Sequence, residues 1–367
     1  MSENGAVPAH TGDVDLAFWR GRRVLLSGHT GFKGAWMALW LQSLEANVTG
    51  YSLATPAERS LFELAGVGDA MENVPGDVRD PEGFVAALER TRPQIVIHMA
   101  AQALVRRSFA QPRETYETNV MGTVNVLDAV RVVGGVRAVV IVTSDKCYEN
   151  RASERGHRED DPLGGFDPYS SSKGCAELVT QAFRRSYFAE PGSPRVASAR
   201  AGNVIGGGDW GEDRLIPDLM RAALDGSAAH VRNPDAIRPW QHVLNPLSGY
   251  LTLAQALCES DAYARAWNFG PQQEDARTVG WVAARVAERW PGGLEWSHDP
   301  GPHPHEAHWL KLDSSMARTE LGWRSQIPLE RALDATVDWY RELAEGADMR
   351  TVTLGQIEAL QPASTST

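Results

Sequence analysis

The sequence predicts an α/β protein, a doubly wound parallel sheet with a smaller C-terminal lobe. Three observations predict it. Between Arg23 and Arg200, short apolar runs alternate with longer segments of helical period. The first run ends at a glycine cluster that opens a helical segment. Beyond about Asn203 the alternation fades and prolines become common. Regular strand–helix alternation implies parallel strands joined by crossovers, with both faces of the sheet covered.

Arg23–Ser27 (RVLLS) is a buried strand, and Ala35–Leu44 is the helix that follows its turn. Val48–Leu53 reads as the second strand and Val74–Asp77 as a short third one. Pro81–Thr91 is a helix with an acidic first turn, followed by a strand at Ile95–Met99. Asn119–Val133 is helical, and Val136–Thr143 is a strongly β-branched strand. Tyr169–Phe188 is a long amphipathic helix, and Arg195–Arg200 closes the alternating region. Residues 1–17 are small and polar and are expected as a flexible tail, with order from Phe18–Trp19. Residues 18–203, with returning segments near 241–270, form the sheet domain; 204–240 and 271–345 form the lobe. Residues 346–367 are a C-terminal extension with a flexible end.

A hydrophobic fraction of 43% and a charged fraction of 23% exclude chain-wide disorder. The net charge of −11 argues against bulk attraction to nucleic acid or anionic lipid. No apolar run reaches the ~18 residues of a membrane helix. Met1–Asp15 has neither the basic nor the apolar region of a secretory signal. Cys147, Cys175 and Cys258 are few and widely spaced, which points to a reducing cytoplasm. His303, His305 and His308 form HxHxxH between prolines with no cysteine near, and no metal is expected there.

Gly28-His29-Thr30-Gly31-Phe32-Lys33-Gly34 joins the first strand to the first helix. Glycines at every third position give a tight turn, close backbone approach to a pyrophosphate, and close helix–strand packing. A dinucleotide is therefore expected on a Rossmann-type sheet. The second strand ends Gly50-Tyr51-Ser52, without the acid that usually holds the adenosine ribose, and Arg59 is not adjacent. Asp77 in GDV is a plausible acceptor for the adenine amino group. NAD is the expected cofactor, held loosely because His29 and Lys33 are bulky for such a turn.

Tyr169 and Lys173 open the long helix, and their spacing of four puts both on one face. A neighbouring ammonium favours the phenolate of a tyrosine. That phenolate can take the proton of a sugar hydroxyl while hydride leaves the same carbon. The strand before them delivers Thr143-Ser144-Asp145-Lys146 to the same sheet edge.

The order GxxGxxG, AAQ (Ala100–Gln102), NVMGT, TSD and YxxxK resembles the extended short-chain dehydrogenase/reductases, the NAD-dependent epimerase/dehydratase family. The longer strings GHTGFKG, HMAAQALVRRS, TSDKCYEN, RAGNVIGGGDW, RPWQHVLNPLSGYL and HEAHWLKLD resemble its CDP-glucose 4,6-dehydratase branch, from about Phe18 to Tyr340. The dTDP-glucose branch has Thr-Asp-Glu where this chain has Ser144-Asp145-Lys146. The resemblance implies NAD held by residues 28–34 with Asp77, Val78, Ala100, Ala101, Gln102, Tyr169 and Lys173. It implies a CDP-glucose substrate contacted by Arg106, Asn203, Arg238 and His305. Tyr169 would be the base, tuned by Ser144 and Lys173; Asp145 the acid for the leaving hydroxyl; Lys146 the base or polarising group at C5. Closeness of Asp145 to Lys146 should oppose the pKa shift each role needs. A homodimer or higher oligomer through Asn119–Val133 and Tyr169–Phe188 is also implied. An epimerase or reductase on the same scaffold is the alternative, and a non-catalytic NAD sensor a further one.

Overall fold

β1 (Arg23–Ser27) sends Val24 and Leu26 to one apolar layer and Leu25 to the other. β4 (Ile95–His98) and β5 (Ala138–Val142) divide their side chains in the same way, and all three strands are buried on both faces. Such strands read as unbroken apolar runs because helices cover both sides of the sheet. The computed structural model describes residues 12–55, 59–150, 155–301 and 310–360. With β2 (Asn47–Ser52), β3 (Glu72–Pro75), β6 (Arg195–Arg200) and the strand Ala266–Asn268, they form one seven-stranded sheet. The order is Ala266–Asn268, β6, β5, β4, β1, β2, β3, and every pairing is parallel. The order reverses between β1 and β4, where a doubly wound sheet opens its ligand crevice.

The helix Phe32–Ser43 is buried from Gly34 to Leu41, so it is apolar almost all round. Such a helix needs cover on every side. Part of that cover is the closing helix Met349–Leu360, whose Arg350 donates to Gln42 Oε1 at 2.8 Å. The extension after residue 345 thus includes a docked helix, and 361–367 lie outside the described residues.

Several boundaries differ from expectation. Order begins before Phe18: Thr252 donates to the Gly12 carbonyl at 3.2 Å, and Trp19 Nε1 donates to Gln255 Oε1 at 2.7 Å. The third strand lies at Glu72–Pro75 instead of Val74–Asp77, because β2 pairs Thr49 with Glu72 and Ser52 with Pro75. The helix expected from Asn119 enters through a π turn, Glu117–Met121, before Gly122–Val133.

Beyond β6 the described residues make three short strand pairs outside the main sheet. Between them the helix Leu244–Glu259, buried along most of its length, and the strand Ala266–Asn268 return to the sheet. Among the described residues no helix is long and apolar enough to cross a membrane.

Candidate active site

Glycines build the turn after β1. Gly28 has φ +79°, and a β-carbon there would lie 2.6 Å from the Ala100 nitrogen. A β-carbon at Gly34 would collide with the Gly28 carbonyl, so the helix starts directly against the strand. Gly31 differs: a β-carbon there would meet only the Gly28 carbonyl, at 3.4 Å, among the described residues. Gly31 is also the N-cap and supplies no side-chain cap. The first N–H groups of a twelve-residue helix are thus left for an anion, which fits a pyrophosphate.

Thr30 closes the end of β2, its hydroxyl 2.8 Å from Ser52 Oγ and 3.1 Å from the Leu53 carbonyl. Phe32 is partly buried near Gly206. Asp77 is gripped by Arg79 at 2.5 Å, and that hydrogen bond holds its carboxyl below the usual range. Val78 is buried against Gly122, and its carbonyl accepts from Asn125 at 2.9 Å. Across the crevice, Gln102 N donates to Asn119 Oδ1 at 2.8 Å, which fixes the Ala100-Ala101-Gln102 loop.

The two bulky turn residues point away from the open side of Gly31. The His29 ring is fully buried beside Gly50, edge-on to Phe62, with Nε2 2.8 Å from Asn73 Oδ1. Lys33 reaches the catalytic end instead. Its ammonium donates to Tyr250 Oη at 3.0 Å, and burial pushes it down to about 7, aided by Lys173 and Arg214.

β5 ends at Val142, and the next residues fold into a short turn. Ser144 Oγ donates to Asp145 Oδ1 at 2.9 Å and accepts from Lys146 N at 3.2 Å. The helix Pro168–Ser186, capped by Asp167, brings Tyr169 and Lys173 against this turn. Burial pushes Tyr169 up to about 12, while a hydrogen bond with Ser144 and the Arg214 charge act the other way. The Lys173 ammonium donates to the Val142 carbonyl at 3.3 Å, and burial lowers it to about 8. Lys146 holds its ammonium 6.0 Å from the centre of the Tyr169 ring. Asp145 is 2% exposed, and its Oδ2 has no hydrogen-bond partner among the described residues. Burial raises its carboxyl despite Lys146, Ser144 and Arg238. The opposition expected from Lys146 is therefore outweighed.

Arg238 is 9% exposed, donates to the Ile237 carbonyl at 3.0 Å, and acts electrostatically on Asp145. Asn203 takes φ +47° where the chain leaves β6, and its carbonyl accepts from Gln241 N at 3.1 Å. Arg106 pairs with Asp213 at 3.2 Å, which also holds Arg232 at 2.7 Å. His305, with His303 and His308, lies outside the described residues.

A protein family described as GDP-mannose 4,6 dehydratase matches residues 25–336. The chain belongs to that family. A curated CDP-glucose 4,6-dehydratase of Salmonella typhimurium is 49% identical over 357 residues, covering 96% of this chain and 99% of the relative. Among solved structures, DesIV, a dTDP-glucose 4,6-dehydratase of Streptomyces venezuelae with NAD bound, superposes with a TM-score of 0.77 at 26% identity. It covers 89% of this chain and 99% of its own. The UDP-glucose 4-epimerase of Thermus thermophilus in complex with NAD gives 0.74 at 25% identity, covering 87% and 99%. NAD is the cofactor in both structures, and the open helix start at Gly31 fits it.

Sequence reasoning passed over four residues that the structure brings against the predicted ones. Tyr250 and Arg214 had no local signal, since one sits in an apolar helix and the other among scattered surface arginines. Gly202 matters through a contact with Asp145 that only folding creates. Glu177 had a signal, its spacing of four beyond Lys173.

Proposed function

We propose that this chain is an NAD-dependent CDP-glucose 4,6-dehydratase, converting CDP-D-glucose to CDP-4-keto-6-deoxy-D-glucose with loss of water. The observation that carries the reading is Asp145, a buried carboxyl raised in pKa beside Ser144 and Tyr169. An epimerase returns hydride to the carbon it left and needs no acid for a leaving hydroxyl. A dehydratase needs one. The 49% identity to the Salmonella enzyme supports cytosine as the base of the substrate.

The helix start at Gly31 would hold NAD, which would supply a hydride acceptor for C4 and a hydride donor for C6. Tyr169 takes the C4 hydroxyl proton, and the nearby Ser144 hydroxyl opposes the upward push of burial on its phenol. Lys173, at about 8, keeps much of its charge at neutral pH and favours the phenolate. The resulting ketone acidifies the C5 proton. Lys146, near the Tyr169 ring, is placed to take or polarise it. Protonated Asp145 gives its proton to the departing C6 hydroxyl, so water leaves as the C5–C6 double bond forms. Arg238, with Arg106, Asn203 and His305, is assigned to the nucleotide-sugar.

The reading includes a cytoplasmic homodimer. Met121 and Val132 before and on one helix, and Leu178 and Tyr187 on and after the other, leave large apolar groups exposed along the two helices expected to pair. The enzyme is tested by supplying CDP-glucose and dTDP-glucose separately with NAD. A 4-keto-6-deoxy product from CDP-glucose is expected; none from either sugar overturns the reading.

A further inference from the structure

Glu177 extends the face of the catalytic helix: Tyr169, Lys173 and Glu177 are each four residues apart. It is 3% exposed, where a carboxylate requires partners. Its Oε1 accepts from the Thr143 hydroxyl at 2.5 Å. Its Oε2 accepts from Ser198 Oγ at 2.6 Å and from Arg200 at 2.8 Å. Arg200 also donates to Tyr148 Oη at 2.6 Å and to the Glu159 carbonyl at 3.0 Å.

Two features go beyond the neutralisation of one buried arginine. Thr143 directly precedes Ser144, and Lys173 donates to the carbonyl of Val142. The helix therefore grips two consecutive residues at the point where the chain turns into Ser144. The second feature is electrostatic. The chain has four lysines; Lys33, Lys146 and Lys173 all lie at this end of the sheet, and the charge of Lys173 disfavours that of Lys33. Burial drives Lys173 down, and the charge of Glu177 opposes that drive.

We propose that Glu177 is a positioning residue for the reaction: it keeps Lys173 an ammonium and fixes Thr143, and with it Ser144, against Tyr169. This rests on the reading of Tyr169 and Lys173 as the proton-transfer pair. The other titratable groups around Lys173 are Lys33, His98 on β4 and Cys147 in the turn after β5. Arg184 and Arg200 face Glu177. Burial lowers Lys33 to about 7 and His98 to about 3, and it keeps Cys147 a thiol. Among these groups Glu177 alone is negative near neutral pH.

Removing its charge lowers the Lys173 pKa, so the ammonium is lost at lower pH. Tyr169 and Lys173 titrate as a coupled pair, and the active form pairs phenolate with ammonium. The alkaline limb of kcat should then move toward acid.

The test uses the full chain with saturating NAD, lysines labelled with 13C at Cε, and Lys173 followed by NMR as pH is raised. Glu177→Gln should lower the Lys173 midpoint by about one unit or more, and the alkaline limb of kcat on CDP-glucose should follow. Glu177→Asp keeps the charge, and Thr143→Val removes only the mechanical link. Both should lower kcat while the Lys173 midpoint stays at its wild-type place. Should Glu177→Gln not fold, the double variant Glu177→Gln/Arg200→Gln is read against Arg200→Gln, and its Lys173 midpoint should lie on the acid side of that single variant. An unmoved midpoint in the folded charge-removal variant overturns the proposal, as does an equal shift in Thr143→Val. A wild-type enzyme inactive on CDP-glucose defeats the functional reading, and the NMR midpoint still decides the hold of Glu177 on Lys173.

Discussion

The carboxylate of Asp145 occupies the space where any other residue at Gly202 would place its β-carbon. Oδ1 of that carboxylate is held by Ser144 at 2.9 Å, so a group at 202 must displace Oδ2, the oxygen without a partner. If Oδ2 carries the proton for the C6 hydroxyl, Gly202→Ala moves the acid without removing it. Turnover should fall about 10²-fold, as expected for a misplaced general acid. Circular dichroism should remain that of the wild type. A variant with full dehydratase activity would show that Asp145 is not the acid.

Tyr169→Phe keeps the ring and removes the proton acceptor. Turnover should drop about 10²–10⁴-fold with the fold retained. Activity within a few-fold of wild type would refute its assignment as the base.

Lys146→Met keeps the aliphatic stem and removes the charge. C4 oxidation should survive, since Tyr169 and Lys173 perform it, while elimination slows. The absorbance of reduced cofactor should therefore accumulate after mixing with CDP-glucose. With wild type, deuterium placed at C4 of the sugar should appear at C6 of the product. A variant that neither turns over nor reduces cofactor would place Lys146 in substrate binding or oxidation.

Lys33 predicts a pH-dependent stability. Its pKa is about 7 in the fold, against 10.5 for an exposed lysine, because burial disfavours its charge, as do the charges of Lys173 and Arg214. Between those values the unfolded chain binds a proton that the folded chain lacks, so stability rises with pH. The penalty of the buried charge is fully present below about pH 7 and relieved toward the unfolded value. Lys33→Met should therefore raise the melting temperature at pH 6 by several degrees more than at pH 9. The partner lost by Tyr250 is a constant offset between the two measurements. An equal shift at both pH values would mean that Lys33 is not desolvated in solution.

The sequence by itself determined the strand and helix order, the glycine turn and the Tyr169–Lys173 face. Each is a local property: alternation, glycine spacing and a one-turn offset lie within a dozen residues of chain. Local pattern also located Ser144, Asp145 and Lys146 at a strand end, and only the tertiary structure set their chemistry. Burial among distant segments raises Asp145 against the opposing charge of its own neighbour Lys146. The same long-range packing turned Lys33 to Tyr250, 217 residues away, and tied Gly12 to Thr252 where a loose tail was expected. It also seated His29 beside Gly50 and left Gly31 open for an anion. Periodicity records which face of an element is apolar. Desolvation and charge pairing depend on what folds against that face, and those partners are remote in the chain.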